Sequence, residues 1–282
     1  MRKYILLWAC FCVSTLKAAT PQYVEQDSLK VVSWLQAAQK LDKNENLILH
    51  FARQFIGIPY VAQTLERNAE EQLVINLREL DCTTFVENVL ALTTCVKEGK
   101  TGFEDFCHNL RQIRYRAGDI AYTSRLHYFS EWIADNTKGG LVEEVQGPNP
   151  PFTAVQTLKI NYMSRFPEKY PMLKGKPQRI KKIRAMENEL NGKKFSYIPK
   201  TDIANTNIFR QAIQDGDIVA IITKREGLDT SHIGFTVWHK NGLHLLHASS
   251  LSKKVVEDKK TLWAYMKEQR MQQGIRIIRV KK

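Results

Sequence analysis

A cysteine placed where a polar turn gives way to an apolar helix is a potential nucleophile, and Leu80-Asp81-Cys82-Thr83-Thr84-Phe85-Val86-Glu87 has that form. Asp81 is a natural N-cap. Phe85, Val86, Val89, Leu90 and Val96 recur at helical spacing, so Cys82 falls in the first helical turn. Unpaired backbone N–H groups and the positive end of the helix dipole there favour a thiolate. The competing interpretation is a buried, inert cysteine, and a histidine able to serve as its base decides between the two.

Two histidines lie on neighbouring predicted strands, His232 in Ser231-His232-Ile233-Gly234-Phe235 and His247 in Leu246-His247-Ala248-Ser249. Asn241-Gly242 suits a two-residue hairpin between them. That turn sets Lys240 opposite Leu243 and His232 opposite a position near Leu251, so a bulge or a longer loop is needed to bring the two rings together. In such a set Cys82 is the nucleophile and His232 the general base, then the general acid. His247 holds the His232 ring in a useful tautomer, and the Cys82 N–H is an oxyanion donor. The chemistry is acyl transfer, most simply amide hydrolysis. His239 and His244, near the turn, are expected to be exposed. His50, His108 and His127 lie in the helical half and receive no triad role.

The elements that must position these groups follow from periodicity. Leu29–Leu41, Leu47–Ile56, Thr101–Arg116 and Tyr128–Asn136 read as helices, with Gly57-Ile58-Pro59-Tyr60 as a turn. Strands are expected at Ile218–Ile222, Thr230–Trp238, Leu243–Ser249 and Ile275–Val280. The layout is α+β, a helical N-terminal lobe (about 20–146) packed on an antiparallel sheet in a second lobe (about 152–282), joined through Gly147-Pro148-Asn149-Pro150-Pro151. Both lobes form one catalytic domain, 20–282. The basic stretch Leu173–Lys194 reads as a solvated helix face and loop.

The first nineteen residues read as a signal peptide. Arg2 and Lys3 precede an apolar run, Tyr4–Leu16, too short to span a bilayer, and Ala18-Ala19 offers a cleavage site. No second long apolar run follows, so the mature chain is expected to be exported to the periplasm or cell envelope without an integral membrane segment. Leu7-Trp8-Ala9-Cys10 is a poor match to a lipoprotein anchor. The formal charge is +13, and losing Arg2, Lys3 and Lys17 leaves +10. This balance suits anionic wall fragments or surfaces, and no nucleic-acid module accompanies it. Cys10 and Cys12 leave with the signal, and Cys82, Cys95 and Cys107 remain. On one helix Cys82 and Cys95 are about 20 Å apart, beyond disulfide reach, whereas Cys95 with Cys107 is geometrically possible. None has zinc-ligand spacing, so neither metal nor cofactor is expected.

Asp81-Cys82-Thr83-Thr84-Phe85-Val86, Asp215-Gly216-Asp217-Ile218-Val219, Ser231-His232-Ile233-Gly234 and Leu246-His247-Ala248-Ser249 resemble, in this order, the nucleophile, turn, histidine and third-position segments of the papain-like NlpC/P60 cell-wall hydrolases. Gly57-Ile58-Pro59-Tyr60-Val61-Ala62, Thr64-Leu65-Glu66 and Ser124-Arg125-Leu126-His127-Tyr128-Phe129 resemble the DUF1460 (AmiA-like) branch, and the likeness runs from about His50 to the C-terminus. It implies an N-acetylmuramoyl-L-alanine amidase acting on small anhydro-muropeptides, with Tyr60 near the oxyanion. It also implies that Arg125 and His127 either line the cleft or serve as structural hydrogen-bonding groups. Ser231, beside His232, completes the substrate-contact candidates. One departure is Gln63, where the branch has glycine. Two other activities fit the same residues: an endopeptidase cutting within the stem peptide, and a wall-binding module without catalysis. The protein is expected to be monomeric.

Overall fold

Cys82 opens a sixteen-residue helix whose start is fixed by side chains. In the computed structural model, which describes residues 20–147 and 150–281, Asp81 Oδ1 accepts from the Thr84 N–H at 2.8 Å, and Thr84 Oγ1 accepts from the Asp81 N–H at 2.9 Å. This reciprocal capping box satisfies two donors and pins the first turn. The helices are α1 (Glu25–Ala38), α2 (Leu47–Gln54), α3 (Cys82–Lys97), α4 (Phe103–Arg114), α5 (Phe129–Lys138), α6 (Tyr162–Arg165), α7 (Pro177–Leu190), α8 (Asn207–Ala212) and α9 (Leu262–Lys267). The strands are β1 (Val142–Val145), β2 (Ala154–Thr157), β3 (Lys194–Pro199), β4 (Ile218–Thr223), β5 (Thr230–His239), β6 (Gly242–Ser249), β7 (Lys254–Thr261) and β8 (Gln272–Val280).

The strands form one antiparallel sheet in the order β2-β3-β8-β4-β5-β6-β7, with β1 also pairing β8. The protein is therefore α+β. Ile218 to Ile222 is a continuous apolar run because both faces of β4 are covered. Ile218 and Ala220 join Phe85, Val89, Phe51 and Trp132 beneath α1–α5, and Val219 and Ile221 meet Phe209, Leu262 and Met266 from α8 and α9. A third apolar cluster, with Tyr122, Tyr128, Met163 and Ile183, packs α6 and α7 against the segment before α5.

Several expectations change. β1, β2, β3 and β7 lacked a periodic signal, being short or strongly charged. The signal peptide expected at 1–19 lies outside the described residues. Among those described, no helix is long and apolar enough to cross a membrane. Cys95 and Cys107 are both free and buried. His244 is buried rather than exposed, because β6 runs between β5 and β7 and all eight of its residues are covered.

The β5–β6 register differs by two from the expected one. His239, not Lys240, opens the turn opposite Gly242, and Lys240-Asn241 forms the connection. Gly242 (φ +144) adopts a backbone that L side chains avoid, with Thr261 Cγ2 3.2 Å from where a Cβ would stand. The shift places Gly234 against His247, where a Cβ would come within 2.8 Å of the His247 Cβ.

Candidate active site

Three chain segments converge on Cys82. Val255 and Lys253 exchange backbone hydrogen bonds with Gly57, Ile58 and Tyr60, and Leu80 does so with Pro59 and Val61. The turn Gly57–Val61 is thus threaded between the start of β7 and the residues just before α3, which sets Tyr60 beside the thiol. Gln63, two residues beyond, adopts φ +60 and ψ 30, a left-handed conformation that the glycine expected there from the resemblance would adopt without strain.

The third segment is the beginning of β5. Its pairing with β6 stops at Phe235 opposite Leu246, whereas pairing with β4 continues to Thr230. The Ile233 N–H, left without a β6 partner, lies near the Cys82 sulfur and favours its charged form. Cys82, His127, Ser231 and His232 line one pocket of about 210 Å³ together with Met163, Tyr170 and Leu228. Met163 is held in the pocket wall by Tyr128, whose Oη donates to Glu187 of α7 at 2.7 Å and accepts from the Met163 N–H at 3.1 Å. A larger hollow of about 540 Å³ beside α4 and α5 contains neither a cysteine nor a histidine pair.

His232 and His247 meet without a bulge between their strands. Their Nε2 and Nδ1 atoms are 2.5 Å apart and the rings stand edge to face. With Gly234 opposite His247, His232 is the diagonal neighbour two residues away on the same strand face, within reach of a long side chain. The contact uses Nε2 of His232, so Nδ1 is the ring nitrogen left for another partner.

The electrostatics correct the expected thiolate. Burial, then the Asp81 carboxylate, push the Cys82 thiol up to about 12, against the opposing N–H of Ile233 and hydroxyl of Thr83. A helix N-terminus contributes about 0.3–1 kcal/mol, less than one pKa unit of about 1.4 kcal/mol, so desolvation wins. His232 is held down to about 3 by burial and by the His247 ring, so it is neutral at pH 7. The resting couple is thiol and neutral imidazole. Alkylation by iodoacetamide should therefore be slow at pH 7 and rise with pH beyond 9. A rate already on its plateau at pH 6 would show a preformed thiolate–imidazolium pair.

The remaining candidates separate. Burial, then proximity to Cys82 and Asp81, raise the Tyr60 hydroxyl to about 12, so it is a neutral donor beside the sulfur. His127 Nε2 donates to the Tyr122 carbonyl at 2.7 Å, and burial followed by the Arg125 charge holds its pKa down to about 3. Its neutral ring therefore keeps Nδ1 as an acceptor. Ser231 is exposed at the pocket mouth. Arg125 does not line the pocket. Its guanidinium is enclosed between Glu66 and Glu71 and lies over the Tyr122 ring, so it braces the wall. Sequence reasoning missed Asp258, whose Oδ2 is 3.8 Å from His247 Nε2, and the pocket walls Met163, Tyr170 and Leu228. Asp258 lies in the charged run Glu257–Lys260, which has no strand periodicity to flag it.

The AmiA-like family model, described as N-acetylmuramoyl-L-alanine amidase-like, matches residues 50–275. The chain belongs to this family and is an amidase-type enzyme. An N-acetylmuramoyl-L-alanine amidase from Bacteroides uniformis is 40% identical, with a TM-score of 0.77 over 83% of this chain and 99% of that one. A Bacteroides fragilis protein named as a candidate xylanase is 42% identical, with a TM-score of 0.76 over 82% and 100%. A Legionella pneumophila protein of the DUF1460 family shares the fold, at 23% identity and a TM-score of 0.71 over 92% and 95%. Comparison with curated proteins finds no match. Glycoside hydrolysis ordinarily needs two facing carboxyl groups. Asp229 is the one carboxylate among the pocket-lining residues, and it accepts from the Ser130 and Thr230 N–H groups.

Proposed function

We propose that this chain hydrolyses the amide between N-acetylmuramic acid and L-alanine in peptidoglycan fragments, using Cys82 as nucleophile, His232 as base and acid, and His247 as orienter. The observation that carries the reading is the pairing of His232 Nε2 with the buried His247 Nδ1 behind a pocket that Cys82 and His232 both line, which leaves His232 Nδ1 for the thiol.

With a resting thiol, His232 Nδ1 takes the S–H proton as sulfur attacks the lactyl carbonyl carbon. The C–S bond forms and the carbonyl π pair moves to oxygen, where the Cys82 N–H and the Tyr60 hydroxyl are the available donors. Collapse breaks the C–N bond, and the His232 proton passes to the leaving alanine nitrogen. Water, deprotonated by the same nitrogen, then cleaves the thioester and restores the thiol. Neutral His127 offers an acceptor for a substrate N–H or hydroxyl, and Ser231 a hydroxyl at the mouth. We further propose a monomeric, exported protein of one catalytic domain, with the basic balance drawing anionic fragments towards it.

Mass spectrometry of a defined anhydro-muropeptide digest tests the site of cleavage. Free anhydro-disaccharide together with an intact stem peptide is the expected result. A shortened peptide still attached to sugar would instead assign an endopeptidase, and unchanged substrate with measurable binding a non-catalytic module.

A further inference from the structure

We propose that Asp258 is a positioning residue that selects the base-competent tautomers of His247 and His232; the inference rests on the Cys–His–His reading above. One hydrogen lies between His232 Nε2 and His247 Nδ1, so one ring donates and the other accepts. If His232 donates, its Nδ1 is a lone pair facing the pocket and His247 carries its own proton on Nε2. If His247 donates, His232 must carry its proton on Nδ1 and cannot accept one from a thiol. The two states are equivalent at the shared contact. They differ at the far end of His247, where Nε2 is a donor in the first and a bare lone pair in the second.

That far nitrogen is enclosed. His247 is fully buried, and its Nε2 has no hydrogen-bond partner. The Asp258 carboxylate, 3.8 Å away, faces it. An anion there attracts an N–H and repels a lone pair, so it favours the state in which His232 is a base. The separation is beyond hydrogen-bond length and too short for a bridging water, so the carboxylate acts on Nε2 through its charge.

The fold places this carboxylate deliberately. β6 and β7 pair Leu246 with Glu257 but His244 with Thr261, so β7 has two more residues than β6 across this interval. Asp258 falls in the bulge, where a side chain is re-aimed out of the ladder. Its Oδ1 accepts from the Lys260 N–H at 2.9 Å, and its carbonyl oxygen accepts from the His244 ring at 2.9 Å. The Tyr265 ring stands against His247 at 5.5 Å between centroids, sealing the pair from the α9 side. The charged and titratable groups beside the couple are therefore Asp258 from β7, Tyr265 from α9 and Cys82 from α3, whereas the Lys260 side chain turns away to Glu268 and the His244 ring stacks on His239. Glu257 turns the other way, to Arg53 and His239.

The test is tautomer-resolved NMR of the full chain labelled with ¹⁵N-histidine. His232 and His247 should both carry their proton on Nε2 at pH 7.5. In Asp258→Asn an Nδ1–H population should appear on His232. On an anhydro-muropeptide kcat should fall about 10–100-fold with KM within about twofold, the usual scale for a supporting shell. Asp258→Glu should recover part of the loss, and Glu257→Gln should change neither readout. A wild-type His232 protonated on Nδ1 overturns the proposal without any variant. Unchanged tautomers and kcat in Asp258→Asn overturn it as well, as does an equal loss in Glu257→Gln. Wild-type protein that leaves the muropeptide uncut defeats the amidase reading instead, and the tautomer readout is independent of that result.

Discussion

Cys82→Ala is expected to lower kcat on an anhydro-muropeptide by about 10⁴-fold or more while leaving the protein folded. The size follows from the role, because a nucleophile that forms the covalent intermediate has no substitute among the pocket-lining residues, and removing one member of such a set costs nearly as much as removing all. The fold should survive because the helix start is secured by Asp81 and Thr84 rather than by the thiol, and alanine is the best helix former. Circular dichroism and thermal melting should therefore match the wild type within about 1 kcal/mol. The resting protonation states add a signature. With the thiol near 12 and His232 near 3, both groups keep their resting form across neutral pH. The wild-type kcat/KM should be flat through neutrality, falling in acid as His232 takes a proton and can no longer accept one from sulfur.

The second large effect is on stability. Arg114 at the end of α4 and Glu87 in α3 form an ion pair at 2.7 Å with both side chains almost wholly buried, and Arg114 Nη1 also donates to the Val74 carbonyl at 2.7 Å. Beside it, Tyr115 Oη donates to Glu71 at 2.7 Å, and Glu71 faces Arg125 at 3.5 Å. Together these groups lock the loop that leads from the Tyr60 turn to Cys82 onto α3 and α4. Arg114→Met should cost about 3–5 kcal/mol, because Glu87 is left as a buried charge without a partner. For a chain of this size that is roughly 6–20 °C in Tm. Burial already raises the Glu87 pKa, and losing Arg114 raises it further. Protonation then relieves the penalty at low pH, so the deficit should be larger at pH 8 than at pH 5. Restoring neutrality with Arg114→Met/Glu87→Leu should recover most of the loss. A single-variant deficit below about 1 kcal/mol, equal at both pH values, would contradict the assignment.

What the sequence made legible were features written locally. Asp81 three residues before Thr84 announces a capped helix, and Ile218–Ile222 announces a buried strand. The pairing of His232 with His247 was recoverable in kind, but the register was not. Asn241-Gly242 is the favoured hairpin dipeptide, yet Gly242 belongs to β6 and Lys240-Asn241 makes the turn. The pairing of His239 with Gly242 and of Phe235 with Leu246, rather than the dipeptide's turn preference, sets the register there. Long-range partners were invisible for a different reason. β1 and β3 find theirs in β8, more than seventy residues later, and nothing in Val142–Val145 or Lys194–Pro199 alone encodes that. Asp258 was hidden by its bulge, which removes the alternation that marks a strand. The thiolate expectation failed on magnitude, since the helix dipole is real but smaller than the desolvation around Cys82. For Arg125 the motif left a cleft role and a structural role open, and its enclosure between Glu66 and Glu71 favours the structural one.

If Cys82 accepts the muramoyl acyl group, the intact mass of rapidly quenched enzyme should reveal it. Mixed with an anhydro-muropeptide and quenched in acid before steady state, the wild type should carry one added disaccharide-lactyl group, mapped to the peptide containing Cys82 and absent in Cys82→Ala. Turnover with no adduct on Cys82, or an adduct composed of stem peptide instead of sugar, would contradict it.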